Sequence, residues 1–273
     1  MGVPLVELDL VDESRATPTI GKVTGAARRQ LPTVVYLPAA DGPAPLIVLA
    51  HGFNGHPRLF TTLAGHWAAG GYAVAVPRFP VSSDEFPTLD PQAFNERVAD
   101  LPGQAEDVRF LVAALAAATD DPSSGLCGRV DIGRLGLYGL SLGALTVWST
   151  VARRGFDEAG VAALIQSDGG FPGDLAQLAD VRFPVLIAHS DVDPAFPVEG
   201  VLRQFDVLPA PRYLLVLHGA AHATVGENTP TPADQAYRVA TTVFWDRYLG
   251  GAIDAVFPES ISVGGVTTFV DGS

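Results

Sequence analysis

One serine stands between two glycines, Gly139-Leu140-Ser141-Leu142-Gly143, in an otherwise apolar run. A serine hydroxyl is a weak nucleophile until a base takes its proton, and the base works best when a carboxylate orients it. Both kinds of partner occur further along the chain. The stretch HSDVDPAFP offers Asp191 and Asp193, and LHGAAHATVG offers His218 and His222. The chemistry that such residues could perform together is acyl transfer through a covalent serine intermediate. The Gly-x-Ser-x-Gly spacing has a steric reason. A sharp strand-to-helix turn lifts the hydroxyl clear of the backbone, and side chains at the flanking positions would collide with neighbouring elements. In a chain with 29 glycines the motif is short, so its weight depends on a strand before it and a helix after it.

The surrounding patterns supply that context. RLGLYG reads as a strand and SLGALTVWSTVARRG as a helix. Upstream, VPLVELDLV and LPTVVYLPA are rich in β-branched residues and read as two strands with no helix between them, hence an antiparallel edge. APLIVLAHG and YAVAVPRF are short continuous apolar runs, the signature of strands buried on both faces of a parallel sheet. LFTTLAGHWAAGG lies between them as a helix closed by Gly70 and Gly71. Residues 81–103 are polar, proline-containing and irregular. QAEDVRFLVAALAAAT follows as a helix with Val108, Leu111, Val112 and Leu115 on one face. VAALIQSDGG, FPVLIAHSD and RYLLVLHGAAH are further strands, with a loop-and-helix segment at 171–182. TPADQAYRVATTVFWDRYLGG is the last long helix, with Thr231 as its cap, Pro232 at its first position and Gly250 and Gly251 ending it. This alternation predicts an α/β fold with a mostly parallel sheet and helices on both faces. Ligands of such sheets bind beyond the carboxyl ends of the strands, where Ser141 and its possible partners fall.

The chain has 273 residues, 48% of them hydrophobic, enough for a sizeable core. Its formal net charge of -13 repels phosphate backbones and anionic lipid, so nucleic acid and membrane are not expected partners. No apolar run approaches a membrane span, and the first residues lack a basic stretch followed by an apolar one, which leads to the expectation of a cytoplasmic protein. Cys127 is the single cysteine, has no partner for a disulfide and reads as a small structural residue near a loop. His56, His66 and His189 show no clustering with carboxylates that suggests a metal, and no H-E-x-x-H pair occurs, so no metal is expected. No glycine-rich fingerprint follows a strand as a nucleotide site requires, so no cofactor is expected.

The chain resembles the α/β-hydrolases, and within them the dienelactone hydrolase and platelet-activating-factor acetylhydrolase-like esterases, relatives of bacterial cutinases and polyester hydrolases. ESRATPT…RRQLPTVVYLPA, LAHGFNG, EDVRFLVAAL and VDIGRLGLYGLSLGA carry the resemblance, which runs over nearly the whole chain. It implies one hydrolase domain over 1–273 with no large lid domain. It implies Ser141 as nucleophile. It favours Asp193 as the acid through Asp193-Pro194-Ala195-Phe196-Pro197, with Asp168 as runner-up and Asp191 left to turn structure. It favours His222 as the base through Gly219-Ala220-Ala221-His222, with His218 as a half-buried structural residue at the strand end. The oxyanion-hole amides would be those of Leu142 and Phe53, the latter in a loop whose glycines permit close approach. His51 is read as loop packing. Phe53, Phe171 and Phe196 are candidate walls of the substrate pocket, and Trp148 is read as core.

The resemblance is incomplete. Leu140 stands where a ring is common before the serine, Ala144 replaces a second glycine, and dienelactone hydrolases proper use cysteine. The relatives that cleave polyesters are usually exported and carry a disulfide. The expectation is therefore a carboxylesterase acting on small to medium apolar esters. A cutinase-like polyester hydrolase and a non-catalytic binding protein of the same fold are the alternatives. Segments 81–103 and 168–182 are the candidate covers of the site, and nothing in the sequence sets an oligomeric state.

Overall fold

The computed structural model of the protein describes residues 2–88, 90–153, 160–223 and 231–273. The strands are β1 Leu5–Asp12, β2 Arg29–Tyr36, β3 Ala44–Ala50, β4 Ala73–Pro77, β5 Val130–Leu140, β6 Val161–Ser167, β7 Val185–Ser190, β8 Arg212–Leu217 and β9 Thr267–Gly272. They form one sheet in the order β1-β2-β4-β3-β5-β6-β7-β8-β9. The run from β4 through β3, β5, β6 and β7 to β8 is parallel. The outer pairs β1/β2, β2/β4 and β8/β9 are antiparallel.

The helices are α1 Thr61–Ala69, α2 Pro91–Val98, α3 Leu101–Asp120, α4 Leu142–Ala152, α5 Val198–Val207 and α6 Pro232–Tyr248. Both sheet faces are covered, which explains why β3 is buried along its whole length. Its side chains alternate between two cores. Leu46 and Val48 pack with Val108 and Leu111 of α3, Val147 and Trp148 of α4, and Val201 of α5. Ile47 and Leu49 pack with Leu63 and Trp67 of α1 and Tyr237, Phe244 and Trp245 of α6. Trp148 is fully buried, as the sequence pattern requires of a core residue. No helix among the described residues is long and apolar enough to cross a membrane.

α6 starts as its sequence predicts. Thr231 Oγ1 accepts from Asp234 N at 3.2 Å while Asp234 Oδ2 accepts from Thr231 N at 2.6 Å, a reciprocal cap with Pro232 in the first turn. Four elements depart from the sequence reading. Within the segment read as irregular, residues 91–98 are helical (α2), begun by Asp90, whose Oδ1 accepts from Gln92 N at 2.9 Å. α3 also starts within it, at Leu101. α5 follows Pro197, and β9 adds an antiparallel strand beyond β8.

A charged network joins β2 to α3 on one side of the sheet. Arg29 donates to Asp107 at 2.6 and 2.7 Å and to Asp100 at 2.8 and 3.1 Å, all three residues buried. Burial and the oppositely charged partner act on each of these groups in opposite directions. The carboxylates win for Arg29, whose affinity for its proton rises, whereas burial wins for Asp100, whose pKa is raised.

Candidate active site

Ser141 occupies the single residue between β5 and α4. Its φ of 55° and ψ of -118° lie in a region that non-glycine residues rarely adopt. Two glycines make the turn possible. A Cβ on Gly143 would lie 2.0 Å from the Ala50 carbonyl oxygen, and one on Gly139 would lie 2.3 Å from the Gly143 carbonyl oxygen. These are backbone collisions that no side-chain movement relieves. The Ser141 amide donates to Ser167 O at 2.9 Å, which fastens the turn to the end of β6.

Asp193 follows β7 and His222 follows β8, so both flank Ser141 at the carboxyl edge of the parallel strands. Ser141 Oγ lies 2.9 Å from His222 Nε2, and His222 Nδ1 lies 2.6 Å from Asp193 Oδ2. A carboxylate only accepts, so the imidazole hydrogen sits on Nδ1 and the Nε2 lone pair faces the serine hydroxyl. The Asp193 side chain is fully buried, and its Oδ1 accepts from Ala195 N at 2.7 Å and Phe196 N at 3.0 Å. His222 remains 27% exposed, open on the side that faces the cavity. The set can draw a proton from the hydroxyl as Oγ attacks a carbonyl and hold the resulting imidazolium.

Two amides beside the serine are free to receive negative charge. Neither Phe53 N nor Leu142 N donates to a protein acceptor among the described residues. Leu142 N is also the first amide of α4, where the helix dipole favours an anion. The cavity over Ser141 measures about 320 Å³ and is walled by Phe53, Leu59, Phe60, Phe94, Leu140 and Phe196. No lysine, arginine, aspartate or glutamate is among the residues that line it. Phe94 was missed by the sequence reading because α2 was missed. Its signal was the Asp90-Pro91 pair, a capping residue followed by proline at the first helical position.

Phe53 and Phe196 thus reach the cavity, and Phe171 does not. The Phe171 ring packs edge-on against Trp148, with ring centres 5.5 Å apart at 87°, and joins the core. Its backbone amide donates to Gln204 Oε1 at 3.2 Å, which holds the residue to α5 and turns it away from Ser141.

The other acid and histidine candidates are placed elsewhere. His51 is buried in its loop, with Nδ1 donating to Gly52 O at 2.7 Å and Nε2 accepting from Phe79 N at 3.1 Å. Burial pushes its pKa down from an ordinary 6.5 to about 4. Asp168, with φ 40°, is buried behind the site, and its oxygens accept from Ser190 N and Ala223 N, each at 2.9 Å. It ties together the turns that carry Asp193 and His222, and burial raises its pKa.

His189 is a correction to the sequence reading. It lies 3.8 Å from Asp168, which the pairing of β6 with β7 brings beside it, and 4.0 Å from Asp193, four residues further along the chain. The three residues have the composition of a metal site. All but one of their ligand atoms are otherwise engaged, the exception being His189 Nδ1, buried without a hydrogen-bond partner among the described residues. All four carboxylate oxygens accept protein hydrogens, and His189 Nε2 donates to Phe196 O at 2.8 Å. The cluster fits a hydrogen-bonded frame behind the serine site better than it fits an ion.

Asp191 and His218 repeat the same chemistry at the surface. His218 Nδ1 donates to Asp191 Oδ2 at 2.7 Å, and Nε2 accepts from Thr268 Oγ1 at 2.8 Å. Asp191 Oδ1 also accepts from Gly219 N at 2.8 Å, and these bonds from His218 and Gly219 lower its pKa. Asp191 therefore does more than shape a turn. Thr268 sits on exposed β9 and none of the three lines the cavity, so the set serves to fasten β9 and the β8 turn to the acid loop. Cys127 is exposed in the turn between α3 and β5.

Compared with known proteins, the chain matches no family model, and no curated protein matches it.

Proposed function

We propose that the protein is a serine carboxylic-ester hydrolase of the α/β-hydrolase superfamily, acting through an acyl-enzyme on small to medium, mostly apolar esters. The observation that carries this reading is the relay from Asp193 through His222 to Ser141. It is built at a strained strand-to-helix turn beside two unengaged amides. The uncharged, ring-lined cavity supports an apolar substrate.

Ser141 Oγ attacks the ester carbonyl while His222 Nε2 takes its proton. The carbonyl oxygen becomes an oxyanion held by the amides of Phe53 and Leu142. His222 gives the proton to the leaving alkoxide, and an alcohol departs. Water then enters, loses a proton to His222 and attacks the acyl-serine, and the carboxylic acid leaves as Ser141 recovers its hydrogen. Asp193 keeps the imidazole in the tautomer that both halves need and offsets its transient charge. The electrostatic hold on the oxyanion is expected to supply about 3–4 kcal/mol per donor in a dry site.

The test is hydrolysis of p-nitrophenyl esters of increasing acyl length by the wild type and by Ser141→Ala. The reading expects release by the wild type, a decline at long chains, and none by a folded Ser141→Ala. Release by the folded alanine variant at the wild-type rate refutes it, as does no release by the wild type at any length.

A further inference from the structure

The amide of Phe53 and its ring belong to the loop that follows β3. His51 at its start is fixed by Phe79 N, and its further restraints come from residues 82–88 and 90–97. Asn54, next to Phe53, has φ 60°, in the left-handed region that asparagine tolerates better than most side chains. Its backbone N donates to Ser82 O at 2.8 Å. Its side chain brackets a single residue, with Nδ2 donating to Thr88 O at 2.7 Å and Oδ1 accepting from Thr88 N at 3.3 Å. One step along, Asp84 N donates to Gly55 O at 3.2 Å.

The same segment grips the Phe53 ring from the other side. Phe94 meets it edge-on, with centres 5.4 Å apart at 88°. The guanidinium carbon of Arg97 lies 5.1 Å from the ring centre. Arg97 is only 2% exposed. Its Nη2 donates to Phe86 O, and its Nη1 is buried without a partner among the described residues. A buried guanidinium normally sits in a carboxylate pair, as Arg29 does here with Asp100 and Asp107. Arg97 instead spends its burial on an aromatic face and one carbonyl. Behind it, Gln104 donates to Ser82 Oγ and accepts from Thr146 Oγ1 at 2.9 Å, which anchors the segment to α4.

We propose that Asn54 and Arg97 are positioning residues of the Ser141 site: together they pin Phe53 to the 82–97 segment, fixing its amide for the oxyanion and its ring as a pocket wall. The inference rests on the ester-hydrolase reading of that site. Positioning matters because an amide aimed away from the developing charge loses its effect, and displacements near 1 Å are enough to slow an enzyme severely.

The test is a double-mutant cycle with Asn54→Gly and Arg97→Met on p-nitrophenyl acetate. Glycine adopts the Asn54 backbone conformation without steric strain, so the first variant removes the side-chain bracket while leaving that conformation open. Methionine keeps an apolar stem over the ring and removes the charge. Each single change is expected to lower kcat/KM about 10-fold, chiefly through kcat. Because both act on Phe53, the double variant should fall well short of 100-fold. Affinity for an alkyl boronic acid, which forms a tetrahedral adduct on the serine, should drop by the same factor as kcat/KM. A merely structural role would lower the melting temperature and leave boronate affinity, relative to KM, as in the wild type.

Folded single variants within twofold of the wild type, or effects that multiply in the double variant, overturn the inference. If Asn54→Gly does not fold, Asn54→Asp, which puts a charged acceptor in place of the Nδ2 donor to Thr88 O, takes its place beside Arg97→Met in the same cycle with the same two outcomes. A wild type that neither turns over ester nor binds boronate refutes the hydrolase reading itself. An active wild type with unaffected variants refutes only the positioning roles.

Discussion

The Phe196 ring lies nearly parallel to the His222 imidazole, with ring centres 6.1 Å apart and planes at 21°, while the Phe196 amide donates to Asp193 Oδ1. One residue thus holds the carboxylate through its backbone and flanks the imidazole through its side chain. Phe196→Ala keeps the first contact and removes the second. Aromatic pairs of this kind contribute about 0.5–1.5 kcal/mol, so kcat/KM is expected to fall roughly 2- to 10-fold, partly through a weaker hold on apolar acyl groups. Michaelis constants for acetate and hexanoate esters measure both parts. A loss of a thousandfold would mean that the ring does something other than wall the cavity.

Asp193 and Asp191 lie two residues apart, each bonded to its own imidazole, and the account assigns them different work. Asp193→Asn leaves a side chain able to donate to Nδ1, which favours the wrong tautomer, and kcat is expected to fall by about 10³- to 10⁴-fold. Asp191→Asn should stay within about twofold in kcat, because neither Asp191 nor its partner His218 lines the cavity, and should show its effect in thermal stability instead. Steady-state rates for the two folded variants decide between these roles. Equal losses in both would contradict the assignment.

His51 makes stability depend on pH in a defined window. Its folded pKa of about 4 lies below the ordinary 6.5. Between those values the unfolded chain takes up a proton that the folded chain refuses. The contribution is fully present above pH 6.5 and is lost as the pH falls toward 4, by roughly 3 kcal/mol. Urea midpoints measured from pH 7 to 4.5 should therefore decline. His51→Asn, which cannot titrate, should be less stable at pH 7 and show a flatter decline. An unchanged slope would place the acid sensitivity elsewhere.

Arg29→Met leaves Asp100 buried without a cation and Asp107 with Arg15 alone. Removing one side of a buried ionic network costs about 3–5 kcal/mol, and that is the loss expected near pH 7. The deficit should shrink in acid, since burial already favours the protonated form of Asp100. Denaturant unfolding at pH 7 and pH 5 checks both the size and the trend. A deficit that grows in acid would contradict it.

The parallel centre of the fold was legible because β3, β4 and β5 through β8 are short apolar runs closed by glycine or by polar turns, a pattern with few other solutions. Gly139 and Gly143 marked the serine turn for the steric reason that the backbone contacts bear out. The missed elements lack such patterns. PQAFNERV of α2 is polar, and Arg97 is its one buried residue. α5 carries Gly200 within its first turn and follows a proline rather than a side-chain cap. Phe171 was assigned to the pocket from its place after β6. Its direction is set by Gln204 and Trp148, partners on α5 and α4 that no local pattern names. The contact between His189 and Asp168 was invisible for the same reason, since adjacency of β6 and β7 is a property of the sheet.

The central claim is that Ser141 is an activated nucleophile, and covalent trapping tests it most directly. After treatment with a fluorophosphonate, intact mass and peptide mapping should show one adduct per chain, on Ser141. Labelling should be absent in Ser141→Ala, greatly slowed in His222→Ala and unaffected in Thr268→Val. A wild-type chain that takes no label, or takes it at Thr268 or elsewhere with Ser141 unmodified, would contradict the account.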